Sequence, residues 1–138
     1  MTAAKLVIGS WRGASGALEI TQLAESLVYL KLTGVNDQTA APVIERTLTK
    51  QFTQTQQLAT FWDLGELINY HSDVRVFATR VLLAHRNQVL GLHTFTRSKL
   101  VAMGVSVANL ALGGIVSSHP TREAFEEALH EFLSSIGR

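Results

Sequence analysis

The segment that most limits the fold is the near-continuous apolar run at residues 58–64, Leu-Ala-Thr-Phe-Trp-Asp-Leu. A run that does not alternate between polar and apolar residues is typical of a strand buried on both faces of its sheet. Apolar residues at helical spacing lie on both sides of this run, at residues 40–52 and 74–85. Alternation of helices and strands requires crossover connections, so the sequence predicts parallel strands joined by right-handed crossovers.

The front of the chain predicts antiparallel strands instead. Residues 17–23 and 27–32 favour β-structure and are separated only by Ala24-Glu25-Ser26, which is short enough for a hairpin. A shorter β-favouring run at residues 5–8 ends in a connection at residues 9–16 that is rich in glycine and serine. We therefore expect the sheet to begin with an antiparallel hairpin.

Further elements complete the pattern towards the carboxyl end. Strands are predicted at residues 89–96 and 115–117, and helices are predicted to begin at residues that suit a helix N-terminus: Asn36 or Asp37, Ser72, Ser98, and Pro120 with Thr121. The sequence thus predicts an α/β fold with a mixed, mostly parallel β-sheet, an N-terminal antiparallel hairpin and about four helices. We expect a single domain over residues 1–138.

Composition and charge exclude several classes of function. The 12 Lys and Arg residues against 11 Asp and Glu give a formal charge of +1, so we expect no nucleic-acid partner, which would need a basic stripe. The absence of cysteine excludes disulfides and thiolate zinc sites. The histidines form no i, i+4 pair, so we expect no metal site: His71, His85, His93, His119 and His130. The first ten residues lack the features of a secretory signal, and we expect a cytoplasmic protein.

Sequence patterns for catalysis are weak. Residues 104–108, Gly-Val-Ser-Val-Ala, come near the nucleophile-elbow pattern of hydrolases, which needs a serine on a sharp turn between a strand and a helix. Ser106 falls within a predicted helix instead, and no aspartate follows it in the chain. The glycines at positions 9, 13 and 16 lack the spacing of a dinucleotide fingerprint. We therefore expect a protein that is not an enzyme and has no cofactor.

Residues 100–116 form a run of 17 residues without a charged side chain. The run is rich in glycine and alanine, and it is shorter than the roughly 20 apolar residues of a membrane-spanning helix. We therefore expect a helix at residues 98–113 that is buried rather than one that crosses a membrane. The alternative is an exposed interface helix for a homodimer, with three candidate interface residues: Met103, Gly104 and Val107.

One pattern connects the predicted strand at residues 58–64 with the helix that follows it. Phe61-Trp62-Asp63-Leu64 is followed eight residues later by Ser72, which opens the helix. This pattern and the order of the elements resemble the STAS family, the SpoIIAA-like anti-sigma-factor antagonists. Residues 97–114 are also similar to bacterial proteins with STAS/SEC14-type domains.

The resemblance implies a candidate phosphorylation site. In the STAS family, a strand that ends in an Asp-Leu-Ser type sequence leads to an Asp-Ser-Ser/Thr-Gly motif, whose first serine is phosphorylated by a partner kinase. Asp63 then corresponds to the strand-end aspartate and Ser72 to the phosphoacceptor. Three other motif positions differ from the family pattern, since they hold His71, Asp73 and Val74. A simple helix cap is the alternative role of Ser72.

The resemblance also implies a non-enzymatic regulatory module. We expect it to dock a protein partner, a regulator or a kinase-like protein, through the loop and helix at residues 64–80. The candidate contact residues are Asp63, Asn69, His71, Ser72 and Asp73. The SEC14-type resemblance implies an alternative, in which the helix at residues 98–113 serves to bind a small apolar ligand, a lipid or a membrane surface.

Overall fold

Residues 5–136 are described by this computed structural model and contain six strands and four α-helices. The strands are β1 Leu6–Arg12, β2 Gly16–Ala24, β3 Leu27–Asn36, β4 Leu58–Tyr70, β5 Val89–Thr96 and β6 Ser117–His119. The helices are α1 Ala41–Gln54, α2 Ser72–Ala84, α3 Lys99–Ala111 and α4 Arg122–Ile136. Residues 1–4, on which the expectation about a secretory signal partly rests, lie outside the described residues.

The strands lie in the sheet in the order of the sequence, from β1 to β6. β1, β2 and β3 are antiparallel neighbours, whereas β3, β4, β5 and β6 are parallel to one another. Each parallel pair needs a crossover, and α1, α2 and α3 provide these connections in turn. The predicted α/β fold, with a mixed sheet and an N-terminal antiparallel hairpin, is therefore confirmed.

The sheet carries a separate apolar core on each face. α1, α2 and α3 pack on one face, because right-handed crossovers that advance in one direction place their helices on the same side. α4 packs on the other face, where its fully buried Phe125 contacts a small core: Leu27, Ala59, Phe61 and Phe95. β4 contributes to both cores, since Trp62 points to the three helices and Phe61 to α4. The prediction of a strand buried on both faces is thus correct.

β4 is longer than the sequence predicts. It continues from Leu64 to Tyr70, so most of the expected loop is extended strand that pairs with β3, and only His71 separates it from α2. Gly65 makes this continuation compatible with the packing on the α4 face. A Cβ at Gly65 would lie 2.6 Å from the Phe95 ring and 2.8 Å from the Arg122 guanidinium. The glycine that resembles a strand end in the sequence is therefore a point of close packing.

β1 is also longer than predicted, for a similar reason. The strand runs through Gly9 to Arg12, and the turn to β2 occupies only residues 13–15. The register with β2 shifts between Val7 and Gly9. A Cβ at Gly9 would lie 2.6 Å from the Thr47 hydroxyl of α1, so the missing side chain makes room for that helix.

Two other predicted boundaries are wrong by a few residues. Asp37 caps a short 3₁₀ turn at Gln38–Ala40 by accepting a hydrogen bond from the Thr39 N–H, and α1 begins only after this turn. The last strand begins at Ser117 rather than at residue 115. The backbone N–H of Val116 donates to the side chain of Asn109 at 2.9 Å, so it makes this contact instead of a strand bond.

α3 lies in the outer layer and is only half buried, which contradicts the expectation of a helix enclosed in the core. Val101 and Gly104 are buried against the interior. The opposite side carries four exposed apolar residues: Leu100, Met103, Val107 and Leu110. Within residues 5–136, no helix combines the length and the apolar character needed to cross a membrane.

Candidate functional site

α2 begins at the carboxyl end of β4, where its cap is formed by His71. The His71 Nδ1 atom accepts a hydrogen bond from the Asp73 backbone N–H at 3.1 Å. Ser72 is the first helical residue, so the prediction that Ser72 caps the helix is wrong. The His71 N–H donates to the Asn36 carbonyl at 2.8 Å, which ties the start of α2 to the end of β3. The backbone of Ser72 is therefore held in a fixed position at the surface.

Exposed polar and apolar side chains lie near the carboxyl ends of β3 and β4 and in the first turns of α2. Val35 of β3 pairs with Asn69 of β4, and the neighbouring Ile68 is 67% exposed. The Asn69 side chain accepts a hydrogen bond from the Tyr70 N–H at 2.8 Å. We call this surface the α2 edge, and it consists of Val35, Ile68, Asn69, His71, Ser72, Asp73 and Val76. Four of the five predicted contact residues lie within it.

Asp63, the fifth predicted contact residue, lies on the opposite face of the sheet and is 2% exposed. Its carboxylate accepts a hydrogen bond from the Tyr29 hydroxyl at 2.7 Å and one from the Gly65 N–H at 3.2 Å. Two nitrogens of Arg122 donate to the two carboxylate oxygens at 3.1 Å each. Because Arg122 is the first residue of α4, this ion pair fastens α4 to β4 and leaves Asp63 out of the α2 edge.

The electrostatics of this cluster fit a structural role. Burial raises the pKa of the Asp63 carboxyl, but the hydrogen bonds from Arg122, Tyr29 and the Gly65 N–H outweigh it, so the pKa lies below its ordinary value. Burial and the hydrogen bond to Asp63 raise the pKa of the Tyr29 hydroxyl. Asp63 is therefore a charged acceptor and Tyr29 a protonated donor over the physiological pH range.

A pair of histidines lies beneath α4 on the same face. His93 Nδ1 of β5 and His119 Nε2 of β6 are 2.9 Å apart, and the ring of His93 stacks on that of Phe61 with 4.3 Å between the centroids. Burial and the neighbouring His119 lower the pKa of His93, and burial lowers the pKa of His119. Among the described residues, no group of three or more His, Cys, Asp or Glu is placed to hold a metal ion.

The three predicted interface residues of α3 do not share one side of the helix. Met103 and Val107 are exposed on the outer side, whereas Gly104 is buried. A Cβ at Gly104 would lie 1.6 Å from the hydroxyl oxygen of Tyr70, so this glycine lets Tyr70 of β4 reach the helix backbone. Ser106 lies in the middle of α3, where its hydroxyl donates to the Ala102 carbonyl at 3.1 Å.

A cavity of about 90 Å³ lies between the sheet, α2 and α3. Most of its wall is apolar and comes from these elements, for example from Trp62, Leu82, Leu92, Val101 and Val105. Three residues, Arg75, Thr79 and Ala108, also line a wider groove of about 430 Å³ between α2 and α3. The cavity therefore opens into this groove at the level of Arg75.

Solved structures share this arrangement of strands and helices. The anti-sigma factor antagonist SpoIIAA in its unphosphorylated form gives a TM-score of 0.57 at 16% identity, over 82% of this chain and 96% of that one. The Bacillus cell fate determinant SpoIIAA in the phosphorylated form gives 0.55 at 16% identity, over 80% and 98%. An uncharacterized protein of the DUF3478 family from Shewanella loihica, with a SpoIIAA-like fold, gives 0.49 at 17% identity, over 84% and 95%.

No family model and no curated protein matches the chain. The likeness to the solved structures is one of fold, and it shows that the chain has the SpoIIAA-like fold of STAS domains. The fold predicted from the resemblance is therefore confirmed.

Sequence analysis missed several parts of the site. Arg122 is a cation in the first turn of a helix, where acidic residues are favoured, and this position could have pointed to a carboxylate partner. His93 and His119 lie on the neighbouring parallel strands β5 and β6. The predicted last strand ends at residue 117, before His119, so the sequence does not indicate that the two rings are in contact. The cavity depends on the packing of three elements and has no local signal in the sequence.

The Asp63–Arg122 pair predicts a distinctive pH dependence of stability. In the wild type, the pKa of Asp63 is lower in the folded protein than in the unfolded chain, where it is about 4. The ionised carboxylate therefore stabilises the fold above about pH 4, and this stabilisation is lost as the pH falls through the pKa of the folded protein. Arg122→Met leaves a buried carboxylate unpaired, so we expect a loss of about 3 kcal/mol in the free energy of unfolding at pH 7. Without Arg122, burial raises the pKa of Asp63, and the carboxyl becomes neutral as the pH falls. Acidification should therefore reduce the difference in the free energy of unfolding between the variant and the wild type.

Urea unfolding at a series of pH values measures this effect. Arg46→Met, which changes an exposed arginine on α1, is the matched control and should shift stability by less than about 0.5 kcal/mol. If the difference in the free energy of unfolding between Arg122→Met and the wild type stays constant from neutral to acidic pH, the stabilising role of the Asp63–Arg122 ion pair is contradicted.

Proposed function

We propose that the chain is a non-enzymatic regulatory module that docks a protein partner, a regulator or kinase-like protein, through the α2 edge. The observation that carries this proposal is the set of exposed polar and apolar side chains near the ends of β3 and β4 and at the start of α2, on a backbone held by strand pairing and by the His71 cap. The likeness of the fold to that of an anti-sigma factor antagonist supports it. We further propose that residues 1–138 form one domain and that the protein acts in the cytoplasm of a bacterial cell.

The α2 edge has the physical properties of a docking surface. Ile68 and Val35 offer apolar area that a partner can bury, and Asn69, His71 and Asp73 offer polar groups beside it. The backbone beneath them is held by β3 pairing and by the His71 cap, so little conformational entropy is lost on binding.

Ser72 is the proposed phosphoacceptor within this surface. It is exposed in the first turn of α2, where the helix dipole favours a negative charge. The carboxylate of the neighbouring Asp73 repels a phosphate at this position. A phosphate on Ser72 would therefore change the charge of the α2 edge without unfolding the helix, as a regulatory switch requires.

The α2 edge proposal predicts where a partner can be crosslinked. A photoreactive residue at position 68 should capture one partner in the native cell, whereas the same residue at Leu90, an exposed apolar position on β5, should not. With the captured partner purified, Ile68→Asp should weaken binding about tenfold or more, because a charge replaces buried apolar area. Leu90→Asp is the matched control and should leave the affinity within twofold.

The same purified pair tests Ser72. Ser72→Asp should weaken or strengthen the complex by at least about fivefold, which is the size of a typical regulatory coupling, while Ser72→Ala stays near the wild type. Equal crosslinking at positions 68 and 90, or an Ile68→Asp variant that binds normally, would rule out the α2 edge as the docking surface.

We also propose that the chain forms a homodimer through α3. The exposed residues Leu100, Met103, Val107 and Leu110 follow one another at spacings of three, four and three, which is the a and d spacing of a coiled-coil seam. Lys99 is the sole charged residue of α3, so two copies do not repel each other along this seam. In an antiparallel pair, each Lys99 lies near the carboxyl end of the second copy's α3, where the helix dipole favours a cation.

Leu110 is the sharpest test of this dimer, because it is 83% exposed and can be changed without disturbing the interior. The wild type should sediment as a dimer, and Leu110→Glu should sediment as a monomer with unchanged thermal stability. Leu6→Glu, at an exposed site on β1, should remain a dimer. A wild type that stays monomeric, and that floats instead with phosphatidylglycerol vesicles in an α3-dependent way, would assign the stripe to a membrane surface.

A second candidate function is the binding of a small apolar ligand between α2 and α3. The observation that favours it is the cavity of about 90 Å³ with its apolar wall. A dry apolar cavity of about 150 Å³ is known to hold a ring of the size of benzene, so this one suits a smaller group. Contacts with Val101 and Val105 would place the ligand against α3, as the SEC14-type resemblance implies.

An uncharged alcohol tests this second function directly. Titration of the ¹⁵N-labelled chain with 1-propanol should shift the amide signals of residues 101–108 in a saturable manner, because a chain of three carbons is small enough to fill the cavity of about 90 Å³. Val101→Trp fills the same space with protein and should abolish the shifts. Unsaturable shifts spread over the whole surface would contradict a defined site.

A further inference from the structure

We infer that the imidazole pair of His93 and His119 makes the attachment of β6 and α4 dependent on pH. The two rings hold β6 and α4 on the sheet while they share one hydrogen bond, and protonation of both rings releases the two elements. None of the functions proposed above uses either ring, so this inference is independent of them.

The hydrogen bond of the pair requires one nitrogen without a proton. His93 Nδ1 and His119 Nε2 are 2.9 Å apart, so one of them donates a hydrogen and the other accepts it. A first added proton binds the donor ring at its outer nitrogen and leaves this hydrogen bond in place. A second added proton puts a hydrogen on both facing nitrogens and two like charges side by side, so the rings must separate.

The surroundings of the pair disfavour positive charge. His93 stacks on the Phe61 ring at 4.3 Å, and His119 lies 5.9 Å from the Phe125 ring of α4, measured between centroids. Burial among these rings lowers the pKa of both histidines, and the neighbouring His119 lowers that of His93 further. Among residues 5–136, neither imidazole forms an ion pair with a carboxylate.

The charged groups of the neighbouring elements do not neutralise a protonated pair. On β4, Asp63 is paired with Arg122 of α4, and Glu66 is paired with Lys31 of β3. Arg97, directly after β5, lies 5.6 Å from a phenylalanine ring of the same face and adds a positive charge. β5 and β6 contain no other ionisable residue. The remaining ionisable residues of α4 are exposed: Glu123, Glu126, Glu127, His130 and Glu131.

Separation of the rings acts on α4 because β6 is short and is joined directly to the helix. β6 is the last strand in the sheet and pairs with β5 at only three positions. Two residues, Pro120 and Thr121, connect His119 to α4. The Thr121 hydroxyl accepts a hydrogen bond from the Ala124 N–H at 3.1 Å, so the connection also forms the cap of the helix. Movement of His119 therefore displaces the start of α4.

Hydrogen exchange of the ¹⁵N-labelled chain between pH 7.5 and pH 5.5 tests this inference, after correction for the intrinsic effect of pH on exchange. Opening that takes up two protons, on rings with an ordinary pKa of about 6.5, becomes about a hundredfold more favourable over this range. We therefore expect the protection of the amides at residues 125–133 to fall about a hundredfold. At pH 5.5 these amides should also exchange faster than those of β4.

The double variant His93→Asn, His119→Gln keeps an amide near each of the two ring nitrogens and removes both titrating groups. Its α4 protection should change less than threefold over the same pH range. His130→Gln is the matched control, because it removes an exposed histidine of α4 itself, and it should respond to pH as the wild type does.

The ring signals of the wild type give a test that needs no substitution. The signals of His93 and His119 should change together with the α4 amides, at a pH below that at which His130 titrates. A fall in α4 protection of less than tenfold, or a double variant that keeps the wild-type response, would overturn the inference. Equal protection of α4 and β4 at pH 5.5 would also overturn it, since the rings would then control the stability of the whole fold and not the release of α4.

Discussion

The burial of β4 on both faces is the constraint on which the rest of the structure depends. Leu58, Trp62, Leu64 and Leu67 enter the core beneath α1, α2 and α3, and Phe61 enters the core beneath α4. At about 2 kcal/mol for each large apolar side chain, these residues contribute on the order of 10 kcal/mol. That amount is comparable with the entire net stability of a domain, about 5–15 kcal/mol. The other strands are arranged around β4, whose carboxyl end determines where α2 begins and whose middle carries Phe61 and Asp63, the residues that α4 contacts.

A strand of this kind can carry a charged residue only if the charge is fully paired. Burial of a lone carboxylate costs several kcal/mol, and Asp63 is tolerated because donors from Tyr29, Gly65 and Arg122 surround it. Asp63 and Ser72 are close in the sequence and belong to one motif in the family that the chain resembles. Here the alternation of side chains along β4 and the length of the strand place them on different sides of the sheet.

Much of the fold could be predicted from the sequence, because the hydrophobic period of each segment reports the layer in which it lies. The apolar run at 58–64 and the helical spacing around it were sufficient for the parallel part of the sheet. The failures concern glycines and caps. Gly9 and Gly65 have the appearance of strand ends, but their role is to admit Thr47 and Phe95 from other elements, which no local pattern encodes. His71 takes the capping position next to Ser72 because its ring nitrogen reaches the Asp73 N–H, whereas sequence preferences favour the serine.

The candidate site was less predictable than the fold. The exposed residues at the start of α2 could be located from the motif, since a helix that follows a parallel strand begins at the carboxyl edge of the sheet. By contrast, a run without charges, such as 100–116, does not reveal which of its sides faces the sheet. Only the packing of Val101 and Gly104 shows that the other side of α3 is open, and only the three-dimensional arrangement brings Arg75 to the mouth of a cavity.

The unequal distribution of helices over the two faces has a consequence for motion. α4 is held by one apolar cluster of aromatic and aliphatic side chains and by one ion pair, and this cluster shares no buried side chain with the core beneath the other three helices. Detachment of α4 is therefore a local event, with a lower free energy than global unfolding, and its amides should exchange with solvent as a separate cooperative unit. The sheet separates the cavity and the start of α2 from α4, so we expect local opening of α4 to leave the side that carries the other three helices in place.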